Sequence, residues 1–254
     1  MIVDKADGRF KIYTFNVRVR ILKTMNNIKK SKTKIAGTKD GVLRILQINL
    51  NTCSKAQAIM EQYIFEKSCD IVLITEQARN ITLNNWIAST LNNCAILLVS
   101  QRVPPILSSF ATDGFCVYEL PLLWIVSTYI TPNCNLTYFQ AYLDKLSDFL
   151  YKTNKPVLIG GDFNSHSYAW GSNKENRRGC LLKDFFLKHD LILCNQGSSP
   201  TYQRFNAESI LDLTLISCRL LDRIKNWSVS RDYSGSDHNY ILFDLLTEDA
   251  SVAF

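Results

Sequence analysis

Eight polar residues stand where apolar runs end. Asn49 closes LRILQIN, Glu76 follows DIVLIT, and Tyr129 ends LLWIVSTY; Asp162 and Asn164 lie in KPVLIGGDFN, Asp212 in SILDLTLIS, and Asp237 with His238 in GSDH. A carboxylate beside a buried apolar strand is informative, because an unpaired one in the interior is strongly unfavourable. Singly, each has an ordinary explanation: Glu76 or Asp212 could cap a loop, Asp237-His238 could be a surface turn, and GGDFN could be a tight turn. Together, each just outside an apolar strand, they point to one site built where loops meet. The set has the parts that phosphodiester hydrolysis needs. Hard oxygen ligands hold Mg²⁺, which keeps several waters and takes only one or two carboxylates. Donors stabilise the charged phosphate, and a base orients the attacking water. Glu76 suits the metal, the Asn amides and the Tyr hydroxyl suit phosphate and water, and Asp212 near His238 would make a dyad in which the carboxylate supports the imidazolium.

Those residues must be positioned by strands and helices. Short apolar runs at 43–50, 70–75, 94–100, 114–120 and 122–130 read as strands, each too short and too continuously apolar for an amphipathic helix. LILCN, ILDLTLIS, WSVS and YILFDLL supply the last strands. Ser54 with Gln57 has the pattern of a helix-capping box before AIMEQYIF. From Asn135 onward Leu136, Phe139, Leu143, Leu146, Phe149 and Leu150 recur at helical spacing, predicting a helix of about four turns. RGCLLKDFFLKHD (178–190) is a further amphipathic helix, and KPVLIGGDFN reads as a strand entering a glycine turn. Alternating strands and helices give a layered α/β domain with buried sheets.

Composition narrows the function classes. The 254 residues are 46% hydrophobic and 20% charged, a balance that can bury one large core. No apolar run is long enough to span a membrane, and the N-terminus lacks a signal-peptide pattern. The eight Cys form no CxxC and mostly sit in apolar runs, so reduced core cysteines and an intracellular location are expected. Three His, none at ligand spacing from a Cys pair, argue against zinc. The three glycosylation sequons, at Asn80, Asn135 and Asn226, are chance matches without a secretory route. Charge is uneven. Residues 1–40 hold 11 Lys/Arg and 3 Asp/Glu, a net +8, whereas the remainder hold 18 and 20, a net −2. That basic segment is either a solvated extension or an arm that contacts phosphates.

In order, QINLN, ITEQ, STYITPN, GGDFNSH, SILDLTLIS and GSDH resemble the motif series of the endonuclease/exonuclease/phosphatase superfamily, over about residues 42–246. Within it, GDFNSHSYAWGS, then NRRGCLLKDFF, PTY and DLTLIS are similar to the endonuclease domains of LINE-type, non-LTR retrotransposons. The resemblance implies a DNase I-like four-layer α/β sandwich, with two mixed β-sheets packed face to face and helices outside. It implies a DNA-nicking endonuclease that leaves 3′-hydroxyl and 5′-phosphate ends, with Mg²⁺ as cofactor and Mn²⁺ as substitute. Double-stranded DNA is then the substrate, the nucleus the expected location, and a reverse transcriptase domain on the same chain the partner in full-length elements. No polymerase follows within 254 residues, so the chain is expected to be a fragment or a stand-alone remnant.

Carried over residue by residue, the resemblance makes Glu76 the metal ligand, helped by Asn49 and Asp237. Asp162 and Asn164 would position water and leaving group, with Asp162 the proton-handling carboxylate. Tyr129 would contact the scissile phosphate or the leaving oxygen. His238, oriented by Asp212, would stabilise or protonate phosphate oxygens, and which group is the base stays open. Asn51 and His166 are candidate DNA contacts, His166 equally a structural hydrogen bonder, and Trp170 a packing residue. Apurinic endonucleases carry Asp where this chain has Asn51, which weakens a repair reading. YTFNVRV mimics a first strand and makes Asn16 a rival to Asn49, but the family's spacing to the metal Glu fits Asn49. The expected boundaries are an N-terminal extension (1–40), the catalytic domain (41–247) and a short tail (248–254). Two alternatives stay open: a phosphatase of the same fold acting on a small phosphoester, and a catalytically inactive DNA-binding remnant.

Overall fold

The computed structural model describes residues 41–81 and 85–247; the expectations placed on residues 1–40, among them Asn16, and on 248–254 lie outside them. The strands, numbered in chain order, form two six-stranded sheets and a hairpin. Across the first sheet run β13 (Ile224–Val229), β14 (Ile241–Leu246), β1 (Val42–Asn49), β2 (Ile71–Thr75), β4 (Cys94–Leu98) and β3 (Trp86–Ala88). Across the second run β5 (Ser108–Ala111), β6 (Phe115–Glu119), β7 (Trp124–Tyr129), β8 (Val157–Asp162), β12 (Asp212–Ser217) and β9 (Leu191–Leu193). Each sheet is mixed: β1 and β2 are parallel, as are β7 and β8, and the other pairs are antiparallel. The hairpin pairs β10 (Tyr202–Arg204) with β11 (Ala207–Ser209).

Three apolar cores order the layers. Leu43, Ile45, Ile71, Leu73, Ile96, Ile125, Leu158, Ile216 and Phe243 fill the space between the two sheets. On the outer face of the first sheet, Leu46, Ile48, Val72 and Ile74 bury Ala56, Met60, Tyr63 and Ile64 of helix α1 (Ser54–Lys67). On the outer face of the second, Val117, Val126, Ile159, Leu213 and Leu215 pack against α2 (Leu136–Lys152) and α3 (Arg177–Lys188). This is the expected four-layer sandwich. Alternate residues of β1, β2, β7 and β8 serve different cores, so these strands are apolar on both faces rather than alternating. Among the described residues no helix is long and apolar enough to cross a membrane.

Two local expectations are corrected. Gly160 and Gly161 belong to strand β8, not to a turn, and the reason is space. A Cβ on Gly161 would lie 1.8 Å from the Thr128 backbone oxygen, and one on Gly160 2.5 Å from Leu73 Cδ1. Nor does Ser54 cap α1. It is the first helical residue, Cys53 occupies the cap position and makes no side-chain bond there, and buried Gln57 instead accepts from the N–H groups of Ala78 and Arg79. Asn135 does cap α2, accepting from Tyr138 N–H.

Candidate active site

Register explains why the polar residues meet. Tyr129, Asp162 and Asp212 are paired across β7, β8 and β12, and Asn49 pairs with Thr75 across β1 and β2. Residues at matched positions share a face of their sheet. Two residues deeper the same face carries Ser127, Gly160 and Thr214 on one sheet and Gln47 and Leu73 on the other. The space between the sheets thus changes from apolar at depth to polar at one rim, where the chain leaves β1, β2, β7 and β8.

At that rim the side chains form one network. Asn49 Nδ2 donates to Glu76 Oε2 and to Asp162 Oδ2, both at 2.9 Å. Tyr129 O–H donates to Glu76 Oε1 at 2.8 Å. Glu76 itself sits at φ 47°, in the left-handed region that non-glycine residues seldom occupy, one residue past β2. Asp162 Oδ1 accepts from the Asn164 N–H at 2.9 Å, and Asn164, also left-handed at φ 44°, donates its amide to the Ile130 carbonyl. The Nδ1–H of His238 donates to Asp212 Oδ2 at 2.7 Å, and Nε2 makes no hydrogen bond among the described residues. Asp162, Asp212 and His238 each offer an atom within 4.8 Å of the others.

Asn51 and Asp237 join from the edge: Asn51 N–H donates to Asn49 Oδ1 at 2.7 Å, and Asn51 Nδ2 to Asp237 Oδ2 at 3.1 Å. His166 holds its loop through its backbone, bonding Asn176, while its ring makes no hydrogen bond among the described residues. Trp170 is buried and packs near Phe186, ring centroids 6.1 Å apart.

Burial and charge set the protonation states. Burial, reinforced by the Asp212 charge, raises the Asp162 carboxyl to about 7, although His238, the Asn164 N–H and Asn49 pull the other way. For His238, burial alone would lower the pKa. The charge and hydrogen bond of Asp212, with Asp162 and Glu76 behind them, outweigh it and lift the imidazole to about 9. Burial and Glu76 hold the Tyr129 phenol protonated.

Several supporting residues were not singled out by the sequence reading. Thr201 Oγ1 accepts from the N–H groups of Leu211 and Asp212, at 3.0 and 3.1 Å. Ser236 Oγ donates to the Asn49 carbonyl at 2.8 Å and accepts from His238 N–H. Buried Arg178 spends its guanidinium on the carbonyls of Thr131, Pro132, Cys134 and Asn164, tying the loop after β7 to the loop after β8. Tyr202, bridged to His238 by backbone pairing, sets its ring edge-on to the imidazole at 5.0 Å. Thr201, Tyr202, Arg178 and Ser236 lie in the quoted PTY, NRRG and GSDH segments, so motif membership was the available signal.

Comparisons with known proteins bear on the fold and on the sequence. Residues 123–242 match the family described as endonuclease-reverse transcriptase. A curated relative, the retrovirus-related Pol polyprotein from type-1 retrotransposable element R1 of Bradysia coprophila, is 28% identical over 142 residues, covering 51% of this chain. The chain spans only 14% of that relative's length. Among solved structures, the endonuclease domain of TRAS1, a telomere-specific non-LTR retrotransposon, superposes with a TM-score of 0.72 at 23% identity, covering 82% of this chain and 100% of that one. An AP endonuclease from Archaeoglobus fulgidus superposes at 0.64 and 13% identity, covering 79% and 98%. The chain thus shares the DNase I-like fold of these endonucleases, and its sequence is similar to the endonuclease-reverse transcriptase family and to an R1 Pol polyprotein.

Proposed function

We propose that the chain is a Mg²⁺-dependent phosphodiesterase that nicks one strand of duplex DNA, leaving a 3′-hydroxyl and a 5′-phosphate. The observation that carries this reading is the His238–Asp212 pair standing beside Asp162 in the same rim as the Asn49–Glu76–Tyr129 cluster. The donor set fits a hard divalent cation. Three carboxylates, Glu76, Asp162 and Asp212, face one imidazolium, and buried Asp212 Oδ1 has no hydrogen-bond partner among the described residues. Glu76, with Asn49 and Asp237, would hold the ion. Once bound, it would polarise the phosphate and offset charge on the leaving oxygen, with Mn²⁺ able to replace Mg²⁺.

The chain's own groups divide the remaining work. His238 is held charged, with Nδ1 occupied by Asp212, so its Nε2–H is a donor for a phosphate oxygen that gains charge as water attacks. Asp162, raised to about 7, is matched to accept a proton from that water near neutral pH. The Tyr129 hydroxyl, aligned by Glu76, reaches the phosphate or the leaving oxygen. Asn164, fixed by Ile130 and by the Arg178 clamp on its carbonyl, positions the leaving group.

In the intact element the new 3′-hydroxyl would prime reverse transcription by a polymerase on the same chain. The relationship to an R1 Pol polyprotein supports that arrangement, and a genomic substrate places the work in the nucleus. The test is incubation of purified protein with supercoiled plasmid and Mg²⁺, with and without EDTA, followed by end-labelling. Metal-dependent conversion to nicked circles with extendable 3′ ends is expected. No conversion, or release of phosphate from small phosphoesters instead, would refute the assignment.

A further inference from the structure

Gln47 is a buried amide among the apolar residues of β1, one layer beneath the rim. Polar atoms in such a place are strongly unfavourable unless bonded, and Gln47 is bonded on both sides. Its Nε2 donates to the Leu213 carbonyl at 3.2 Å and makes a longer contact, 3.5 Å, with the Gly161 carbonyl. Its Oε1 accepts from Thr214 Oγ1–H at 3.0 Å, and Thr214 in turn accepts from the Trp227 indole N–H at 3.0 Å. Room for this amide comes from Gly160, where a Cβ would stand 2.7 Å from Gln47 Oε1.

The two carbonyls are the ones that matter. Gly161 immediately precedes Asp162, Leu213 immediately follows Asp212, and those aspartates face each other across β8 and β12. Gln47 is also two residues from Asn49 on the same face of β1, and Asn49 bonds both Glu76 and Asp162. One side chain thus ties the strand carrying Asn49 to the two strands carrying Asp162 and Asp212, across the gap between the sheets.

We propose that Gln47 is a positioning residue for the phosphodiester reaction: by bridging Gly161 and Leu213 it fixes the Asp162–Asp212 pair, and through it His238, against Asn49. This rests on the nuclease reading for its kinetic consequence but not for its structural one. Supporting groups of this kind commonly matter 10- to 100-fold.

The test uses the full chain and two readouts. In Gln47→Met, of similar volume but without the amide, nicking kcat should fall roughly 10- to 100-fold with KM for DNA nearly unchanged. The downfield imidazole Nδ1 proton of His238, held by Asp212, should shift or broaden in the proton NMR spectrum. Thr214→Val, which removes the hydroxyl that orients the amide, should act in the same direction, and Thr214→Ser should restore both readouts. Leu146→Ala, a destabilising change in the core behind the second sheet, serves as the control and should leave both readouts near wild type well below its melting temperature. If Gln47→Met folds but keeps kcat and the resonance, or if Leu146→Ala loses as much, Gln47 is only a core residue. If Gln47→Met does not fold, the Thr214 pair decides: equal behaviour of Val and Ser overturns the proposal. A wild-type protein that fails to nick would instead sink the nuclease reading, while the His238 resonance still reports whether Gln47 holds the pair.

Discussion

Glu76 accepts bonds from Tyr129 and Asn49 while held in a left-handed backbone conformation, a costly arrangement for a residue with a merely structural task. Glu76→Gln keeps the shape and removes the charge. Nicking should fall to background with the melting temperature little changed, and activity within about threefold of wild type at millimolar Mg²⁺ would sink the metal assignment. The His238–Asp212 pair makes a different claim, because a dyad works as a unit. His238→Ala should cost roughly 10²-fold or more in rate, with Asp212→Asn costing less. The double variant should be no slower than His238→Ala alone, as measured in single-turnover nicking. If the two losses multiply, the residues act independently, whatever their 2.7 Å bond suggests.

Elements explain what could be read in the sequence. Strands β1, β2, β4, β6 and β7 were legible because they are buried on both faces over most of their length and are mostly apolar. β3, β5, β10 and β11 were not, being three or four residues long, half-exposed and without periodicity. The rim residues stood out as polar groups at strand ends. Their supports did not, since a bond such as Gln47 to Leu213 joins positions 166 apart, and nothing local announces it. Gly161 shows the same limit. Its sequence reads as a turn, whereas the neighbouring strand's Thr128 carbonyl forbids a Cβ. Gly161→Ala should therefore destabilise the domain by about 1–3 kcal/mol or more in urea unfolding, because backbone rather than a mobile side-chain end blocks it. A change below about 0.5 kcal/mol would mean that β7 and β8 can separate at no cost, against the tight packing of this sheet.

The whole molecule carries its charge in two parts, and that division bears on how it meets a polyanion. Residues 1–40 have a net +8, residues 41–247 hold 18 Lys/Arg and 18 Asp/Glu and are neutral overall, and Glu248 with Asp249 adds −2, so the general field of the catalytic domain does not favour DNA. Long-range attraction would have to come from the basic segment, whereas local docking belongs to the rim. The two can be separated in the full chain by replacing Lys29, Lys30, Lys32 and Lys34 with Gln, which removes charge and leaves the site alone. Each lost phosphate contact should reduce the slope of log affinity against log salt by about 0.9, so three such contacts would be plain in fluorescence-anisotropy titrations. Single-turnover cleavage at saturating protein should persist, because the groups that act on the phosphate are unchanged. Asn16→Ala in the same segment should also leave cleavage intact if Asn49 is the residue that pairs with Glu76, as its 2.9 Å bond indicates. An unchanged salt slope in the lysine variant would show that the basic segment touches no phosphates. Cleavage would then depend on the rim alone to capture DNA with a domain of no net charge, and affinity should be weak at every salt concentration.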